Sequence, residues 1–165
     1  MVSFPAKSVV AKASTSNALN EFSQSSILFS SLDSGTLLSN NTVNEISQDN
    51  RGFIWVATSD GLPKYNGRDS QRFKFTIGKN LQLNSNFIRT VFRDSEDRLW
   101  IGRDGGLSLY LPELNSFMDF NSNSHNELLE NIDVVSIVEG PDKSLWLGTS
   151  RNGLFNYNPS LDLFY

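Results

Sequence analysis

The chain contains few residues that could carry out chemistry. It has one histidine, His125, and no cysteine, so it lacks the usual imidazole and thiolate ligand set of a transition metal. The segment "DSEDR", residues 94–98, lacks the alternating oxygen ligands and the glycine of a calcium-binding loop. The segment "GRDGG", residues 102–106, lacks the lysine of a phosphate-binding loop. We therefore expect no metal, no cofactor and no catalytic residue in this chain.

Two aspartates stand where the chain is about to turn. Asp49 precedes "NRG" and Asp94 precedes "SED", and each turn leads into an apolar segment. Aspartate in this position commonly accepts hydrogen bonds from backbone N–H groups of the turn that follows. The sequence therefore predicts that both carboxylates are turn caps and not calcium ligands.

The composition indicates one folded domain with an ordinary core. The chain has 165 residues, of which 38% are hydrophobic and 12% aromatic, and its net charge is −4. No basic stripe suggests nucleic acid as a partner, and no apolar run approaches the ~18 residues of a membrane span. Residues 1–26 lack the apolar core of a secretory signal. We expect them to form a flexible tail and expect no membrane contact within the chain.

A repeat of about 45 residues dominates the rest of the sequence. When the three tryptophans are aligned, apolar residues recur 17, 12 and 9 positions before them, a small residue recurs two positions after, and a Gly-Leu pair and a tyrosine follow. The aligned aromatic residues, which we expect in the structural core, are Trp55, Trp100, Trp146, Tyr65, Tyr110 and Tyr157. The small residue of this pattern is expected to let a neighbouring unit approach closely.

Each repeat is predicted to contain four short strands. In the first repeat these are "NTVNEISQ", "FIWVAT", "GLPKY" and "RFKFTI", separated by Gly, Asn and Asp. A strand that is apolar at every position is covered on both faces, which in an antiparallel meander requires sheets stacked face to face. The sequence predicts an all-β partial propeller over residues 27–165, with blades at about 38–78, 83–120 and 129–165. An open solenoid of β-hairpins is the alternative.

The segment "TVNEISQDNRGFIWVATSDGLPKYN" resembles the two-component regulator propeller repeat, with its Val-x-x-Ile, its turn, its Trp-centred strand, its Gly-Leu pair and its tyrosine. All three copies resemble the family, from about residue 38 to residue 165. Arg103 stands where the other copies have threonine, and Ala57 replaces the usual glycine. These departures affect loop details and leave the resemblance itself intact.

The resemblance implies an extracytoplasmic, periplasmic sensing domain. Propellers of this family usually precede a membrane span and a histidine kinase, a hybrid response-regulator module or a diguanylate cyclase. The chain contains none of these modules, and three repeats are fewer than the four blades of the smallest closed ring. We therefore expect a non-catalytic, ligand-sensing fragment of a bacterial transmembrane signalling protein. Its end blades would leave apolar faces uncovered, and either the remaining blades of a parent propeller or self-association would cover them.

Ligand binding can be located from the topology. In a four-stranded meander, the loops that lead into the first strand and those that join the second and third strands lie on one rim. Their polar side chains suit a polar small molecule or an oligosaccharide. The candidate residues are Asn40, Asn41, Asn44, Asp60, Ser85, Asn86, Arg89, Arg103, Asp104, Asn131, Arg151 and Asn152. Asn44 and Arg89, each eleven positions before a tryptophan, are expected to point into the channel.

Two other functions are consistent with a propeller. A scaffold that binds a protein partner would present an apolar patch on a rim, and the polar loops argue mildly against it. A fragment of a propeller enzyme, such as a polysaccharide lyase, would need histidine, tyrosine and arginine clustered on one rim. The single histidine makes the enzyme the weaker alternative.

Overall fold

The computed structural model describes residues 42–75, 83–120 and 131–164. These three ranges form three four-stranded antiparallel sheets. The first sheet contains β1 (Val43–Gln48), β2 (Ile54–Thr58), β3 (Leu62–Tyr65) and β4 (Ser70–Phe73); the second contains β5 (Ile88–Arg93), β6 (Leu99–Arg103), β7 (Gly106–Leu111) and β8 (Ser116–Asp119); the third contains β9 (Val134–Glu139), β10 (Leu145–Thr149), β11 (Leu154–Asn158) and β12 (Leu163–Phe164). The predicted tail, residues 1–26, and His125 lie outside the described residues.

The strands of every sheet follow one another in chain order, as in a meander. The register is the same in all three sheets, because equivalent columns of the repeat pair with one another. The equivalent pairs are Ile46 with Val56, Val91 with Ile101 and Ile137 with Leu147. The first strands of neighbouring sheets are in contact, β1 with β5 and β5 with β9. The predicted all-β partial propeller of three blades is confirmed.

A β-bulge interrupts the first strand of each sheet at the same place. The pairing with the second strand skips Asn44 in β1, Arg89 in β5 and Val135 in β9. A bulge leaves one residue outside the ladder and re-aims its side chain. The repeat therefore places one residue per sheet at an equivalent, irregular point of the innermost strand.

The fourth strand of the first sheet begins earlier than predicted. We expected "RFKFTI", residues 72–77, whereas β4 spans Ser70–Phe73. A tight turn explains the difference: the Asn66 side chain accepts hydrogen bonds from the backbone N–H groups of Arg68 and Asp69, and Gly67 has a positive φ of 93°. This turn returns the chain at once, so that Ser70 already pairs with Tyr65.

Two apolar cores lie between the sheets. The first contains Trp55 from the first sheet and Tyr110 from the second, whose ring centroids are 4.6 Å apart. The second contains Trp100 from the second sheet and Tyr157 from the third, at 5.8 Å. Burial and a hydrogen bond to a neighbouring carboxylate raise the pKa of the Tyr157 hydroxyl. The Trp-centred strand of the second sheet is thus covered on both faces, as predicted.

A lysine is buried in the first of these cores, which the sequence did not lead us to expect. Lys64 is only 8% exposed, and its Nζ lies 4.2 Å from the centre of the Phe53 ring and 4.9 Å from that of Trp55. The ammonium group donates a hydrogen bond to the Tyr110 hydroxyl at 3.0 Å. Aromatic faces attract a cation, so these contacts offset part of the cost of burying it. Lys64 links the first two sheets.

The third tryptophan differs from the other two. Trp55 and Trp100 are 0% and 1% exposed, whereas Trp146 is 43% exposed. We expected all three in the core. The physical reason is that its face of the third sheet meets no further sheet among the residues that the structure describes. Ile46 of the first sheet is also 61% exposed, on a face that meets no other sheet among the described residues.

The small residue two positions after the tryptophan allows close packing, as expected. A Cβ on Gly102 would meet the Thr90 side chain within its own sheet, and it would also lie 2.8 Å from the carbonyl oxygen of Val134 and 3.0 Å from its Cγ1. Val134 belongs to the third sheet, so the absent side chain is what lets its first strand approach. At the equivalent Gly148, a Cβ would meet the side chain of Ser136 within its own sheet.

These contacts predict that replacing glycine with alanine lowers the free energy of unfolding more at residue 102 than at residue 148. Gly102→Ala is expected to lower the free energy of unfolding by about 1–3 kcal/mol, because a backbone carbonyl of a packed sheet cannot rotate away. Gly148→Ala is the matched control and is expected to cost less, since the Ser136 hydroxyl can turn aside. Urea denaturation measures both variants. Equal losses would contradict a sheet-to-sheet role for Gly102.

Candidate ligand-binding rim

The loops that were predicted to share a rim are joined by hydrogen bonds. We call this the upper rim; it consists of the described loop residues 59–61, 83–87, 104–105, 131–133 and 150–153. The backbone N–H of Gly61 donates to the carbonyl of Asn86 at 2.6 Å, and that of Asp104 donates to the carbonyl of Phe87 at 3.0 Å. In the third sheet, Ser150 N–H donates to the Asp133 carbonyl at 3.1 Å. The predicted topology of this rim is confirmed.

The upper rim also joins neighbouring sheets. Gly105 N–H donates to the Asp133 carboxylate at 3.0 Å, which connects the second sheet to the third. The Asn86 side chain accepts a hydrogen bond from Phe75 N–H at 2.7 Å, which connects the second sheet to the first. Any ligand held here would contact loops whose relative positions depend on how the sheets pack.

Arg89 places a partly exposed guanidinium beside the upper rim. It is the bulge residue of β5, and its Nε donates to Asp104 at 2.6 Å. Its guanidinium lies 4.4 Å from the centre of the Phe87 ring. The side chain remains 33% exposed. The bond to Asp104 engages Nε, one of five N–H donors of a guanidinium, and fixes the direction in which the plane of the group points.

Asn44, the equivalent bulge residue of β1, connects the two innermost strands. Its Nδ2 donates to the carbonyl of Ile88 at 2.6 Å, although the residue is exposed. Beside it, the Glu45 carboxylate accepts hydrogen bonds from the Thr90 hydroxyl and, at 3.1 Å, from the Val91 N–H. Side chains of β1 therefore satisfy polar groups of β5 directly, and Asn44 lies next to Arg89 in the neighbouring strand.

Arg103 is built into the second sheet instead of facing the rim. It is 2% exposed and forms an ion pair with Asp119 at 2.7 Å. Its Nε also donates to Ser108 at 3.1 Å. Burial lowers the pKa of the guanidinium, and the Asp119 carboxylate opposes that shift. The geometry gives Arg103 a structural role.

Most of the other predicted rim residues hold their own loops. Asp60 pairs with Lys74 at 2.6 Å, and the Ser85 hydroxyl accepts a hydrogen bond from Phe87 N–H at 3.1 Å. In the third sheet, Arg151 and Asn152 are exposed on one loop, and Asn131 adopts a positive φ of 60°. Asn40 and Asn41 lie outside the described residues. The described candidates thus come together on one rim, Arg103 excepted.

Each of the two capping aspartates also accepts a hydrogen bond from a tryptophan indole, which we did not predict from the sequence. The Asp49 carboxylate accepts hydrogen bonds from the backbone N–H groups of Arg51 and Phe53, at 3.0 and 2.9 Å, as predicted. Its other oxygen accepts one from the Trp55 indole at 2.9 Å. Asp94 repeats the arrangement, with its indole partner Trp100 at 2.8 Å. The signal for this bond was present, because each aspartate stands six residues before its tryptophan.

The opposite, lower rim contains a groove that the sequence did not predict. Its volume is about 530 Å³. Leucines and a proline form its apolar part, and charged residues of both signs border it. The lining residues are Asp49, Asn50, Arg51, Glu96, Asp97, Arg98, Leu99, Leu109, Tyr110, Leu111, Pro112 and Glu113. They come from the turns between first and second strands of two sheets and from the β7–β8 loop.

Metal binding and membrane spanning find no support in the described part of the chain. Within residues 42–75, 83–120 and 131–164, no three His, Cys, Asp or Glu side chains are grouped as a metal site. In the same ranges there is no helix with the length and apolarity to cross a bilayer.

Comparison with known proteins agrees with this architecture. The family model described as "Two component regulator propeller" matches residues 37–60 and 82–102. A curated relative, "Histidine kinase P4" of Formosa agariphila, is 31% identical over 122 residues, which is 67% of this chain and 8% of the relative. The chain therefore spans a small part of the kinase that it matches.

Two solved structures share the fold. The extracellular domain of a proposed hybrid two-component system from B. thetaiotaomicron is 28% identical, with a TM-score of 0.73 over 82% of this chain and 19% of that one. The extracellular domain of a proposed one-component system from the same organism is 24% identical, with a TM-score of 0.66 over 86% of this chain and 18% of that one. The first two repeats thus match the two-component regulator propeller repeat in sequence, and the arrangement of four-stranded sheets shares the fold of these extracellular domains.

Proposed function

We propose that this chain is a ligand-sensing part of an extracytoplasmic propeller in a bacterial transmembrane signalling protein. Its similarity to a histidine kinase and to extracellular domains of signalling systems supports this assignment. The described rim residues offer hydrogen-bonding and charged groups that suit a ligand, and on that ground we assign this part of the protein recognition. Kinase or cyclase output belongs to modules outside the propeller repeats.

The aligned bulges are the observation that carries the proposal. They bring Asn44 and Arg89 to equivalent points of adjacent innermost strands, beside the hydrogen-bonded loops of the upper rim. An amide suits sugar hydroxyls, and a guanidinium suits a carboxylate. Arg151, exposed on the loop of the third sheet, adds a second guanidinium. We therefore propose an acidic oligosaccharide as the ligand class.

A change in the angle between sheets would transmit the signal. The upper-rim loops join one sheet to the next through Asn86 and Asp133. A ligand that contacts two sheets at once would favour one of their relative arrangements over another, which is the differential affinity that any conformational response requires. No covalent step is involved.

Titration with oligogalacturonates of three to six residues tests the proposed site. Arg89→Gln and Arg151→Ala are each expected to weaken binding by about 10- to 100-fold, since each removes a charge-assisted hydrogen bond. Isothermal titration calorimetry measures the affinities. Arg68→Ala, an exposed arginine of the β3–β4 turn on the lower rim, is the matched control and is expected to bind normally.

Two results would count against the site. Equal weakening by Arg68→Ala would indicate a general charge effect and not recognition at the upper rim. Saturable binding that is insensitive to both upper-rim variants would move the site elsewhere, and the groove of the lower rim is then the next surface to test. The interaction scaffold and the polysaccharide lyase remain alternative predictions.

A further inference from the structure

The turns between the first and second strands of the first two sheets have the same geometry. In each turn, the carbonyl of the capping aspartate accepts a hydrogen bond at 3.1 Å from the backbone N–H three residues later. Its carboxylate accepts one at 3.0 Å from the backbone N–H two residues later. Asn50 of the first turn is therefore equivalent to Ser95 of the second, and Arg51 to Glu96. Both turns lie on the lower rim, inside described segments that begin and end at the upper rim.

Between the second and third sheets, which we call the second junction, the turn is tied to the following sheet. The backbone N–H of Ser95 donates to the Glu139 carboxylate at 2.8 Å, and the Ser95 hydroxyl donates to the same carboxylate at 2.7 Å. Lys143 forms an ion pair with Glu96 at 3.0 Å. A carboxylate acceptor and an ion pair therefore join the two sheets at the lower rim.

Between the first and second sheets, which we call the first junction, the equivalent side chains carry the opposite charges. The strand register supports this equivalence, because Arg93 pairs with Leu99 as Glu139 pairs with Leu145. The reversed positions, aligned on the tryptophans, are Glu96 with Arg51, Glu139 with Arg93 and Lys143 with Asp97.

This reversal leaves the backbone donor of the first turn without an acceptor. A guanidinium has five N–H donors and no acceptor, so Arg93 cannot do for the Asn50 N–H what Glu139 does for Ser95. Among the described residues, the Asn50 N–H forms no hydrogen bond and the exposed Arg51 side chain forms no ion pair. The first junction thus offers a backbone donor and a guanidinium to an anion from outside.

The groove of the lower rim lies at this place. Asn50 and Arg51 line it together with leucines and a proline, and its volume is about 530 Å³. Small-molecule sites have this size, and they are mostly apolar with a few polar groups that fix the orientation of the ligand. The groove therefore has the size and lining of a site for a small apolar molecule with one anionic end.

Most of the acidic side chains in the groove are already bonded. Asp49 accepts hydrogen bonds from backbone N–H groups and an indole, and Glu96 and Asp97 form ion pairs with arginines. The remaining acid, Glu113, belongs to the β7–β8 loop and not to either turn. An anion at the Asn50 turn therefore meets little uncompensated negative charge.

We propose that the groove binds a small apolar carboxylate. The carboxylate accepts the Asn50 N–H and pairs with Arg51, while the apolar body lies on the leucines. The ligand thereby supplies at the first junction the acceptor that Glu139 supplies at the second, and it ties the first two sheets together at the lower rim. All residues of this site lie in those two sheets. The site is separate from the one proposed at the upper rim and does not depend on it.

Titration with 4-phenylbutyrate, followed by ¹H–¹⁵N NMR, tests the site. The Asn50 amide is expected to shift in a saturable way, whereas the Ser95 amide, which already has an acceptor, is expected to shift little. Both 4-phenylbutanamide, which has the same body without the charge, and the variant Arg51→Ala are expected to reduce the affinity by about 10-fold or more. Arg68→Ala, which removes an exposed arginine outside the groove, is the control and is expected to bind normally.

A double variant, Arg93→Glu with Asp97→Lys, supplies the missing acceptor from within the chain. It copies two charges of the second junction, and Asp97 and Lys143 have the same φ of 63°, so the backbone is suited to the change. The Asn50 amide is expected to shift without ligand, and 4-phenylbutyrate is expected not to bind. Four results would overturn the proposal: no saturable shift of the wild-type Asn50 amide up to about 10 mM ligand, equal binding of the neutral amide, equal weakening by Arg68→Ala, or undiminished binding to the double variant.

Discussion

Replacing Trp100 with alanine is expected to lower the free energy of unfolding by about 3–5 kcal/mol, the usual cost of removing a buried tryptophan. The indole is 1% exposed, lies 5.4 Å from the Phe120 ring, and donates a hydrogen bond to Asp94. The substitution opens a cavity between the second and third sheets. It also removes the indole partner of a carboxylate that is 4% exposed.

Trp146→Ala is the matched control, since it removes the same side chain at the same point of the repeat. It is expected to cost about 1 kcal/mol, because 43% of Trp146 is already exposed and Gly140 stands where the other repeats have aspartate. Guanidinium denaturation measures the free energy of unfolding of both variants, at a protein concentration low enough that the chain does not self-associate. If Trp100→Ala prevents folding, Trp100→Phe provides a smaller loss to compare. Equal losses in the free energy of unfolding at the two positions would contradict the conclusion that Trp100 is buried and Trp146 is partly exposed.

Asp119→Ala is expected to destabilise the chain by about 3–5 kcal/mol, because it leaves the Arg103 guanidinium buried without its carboxylate. The ion pair is 2.7 Å long, and the two side chains are 2% and 8% exposed. The same variant is not expected to change ligand affinity in the fraction that remains folded. A loss of stability with unchanged ligand affinity would show that Arg103 stabilises the fold and does not contact the ligand.

A second variant identifies the cause of that loss. The double substitution Arg103→Met and Asp119→Leu replaces the ion pair with apolar side chains of similar length and is expected to recover most of the stability. Arg151→Ala, which removes an exposed arginine of the upper rim, is expected to change stability by less than about 0.5 kcal/mol. If the double variant were no more stable than Asp119→Ala, an uncompensated charge would not be the reason for the loss.

The sequence predicted the sheets well because the repeat specifies them three times. Equivalent columns such as Ile46, Val91 and Ile137 recur nine positions before each tryptophan, and they pair in the same register in the structure. The joined upper rim followed from the meander alone. The early start of β4 did not, because it depends on the side chain of Asn66 capping a turn and not on an apolar pattern.

Contacts that occur in one repeat only could not be predicted in the same way. Arg103 resembled a rim residue because its buried partner lies sixteen positions later in β8. The sequence nevertheless contained a signal for this ion pair. The first repeat has Thr58 and Lys74 at the positions of Arg103 and Asp119, so both residues of the pair differ from that repeat. The burial of Lys64 had no comparable signal, because its aromatic neighbours come from two different sheets.

Each of the three sheets that the structure describes is formed by one uninterrupted segment of chain, with its strands in chain order. No strand is donated from one described segment to the sheet of another, so a gene duplication or deletion of one whole repeat would leave the remaining sheets intact. Its energetic effect would be confined to the gain or loss of one neighbouring junction, as in a one-dimensional array. Lineages with this architecture can therefore vary blade number in whole units, whereas a shift of half a unit would split a sheet.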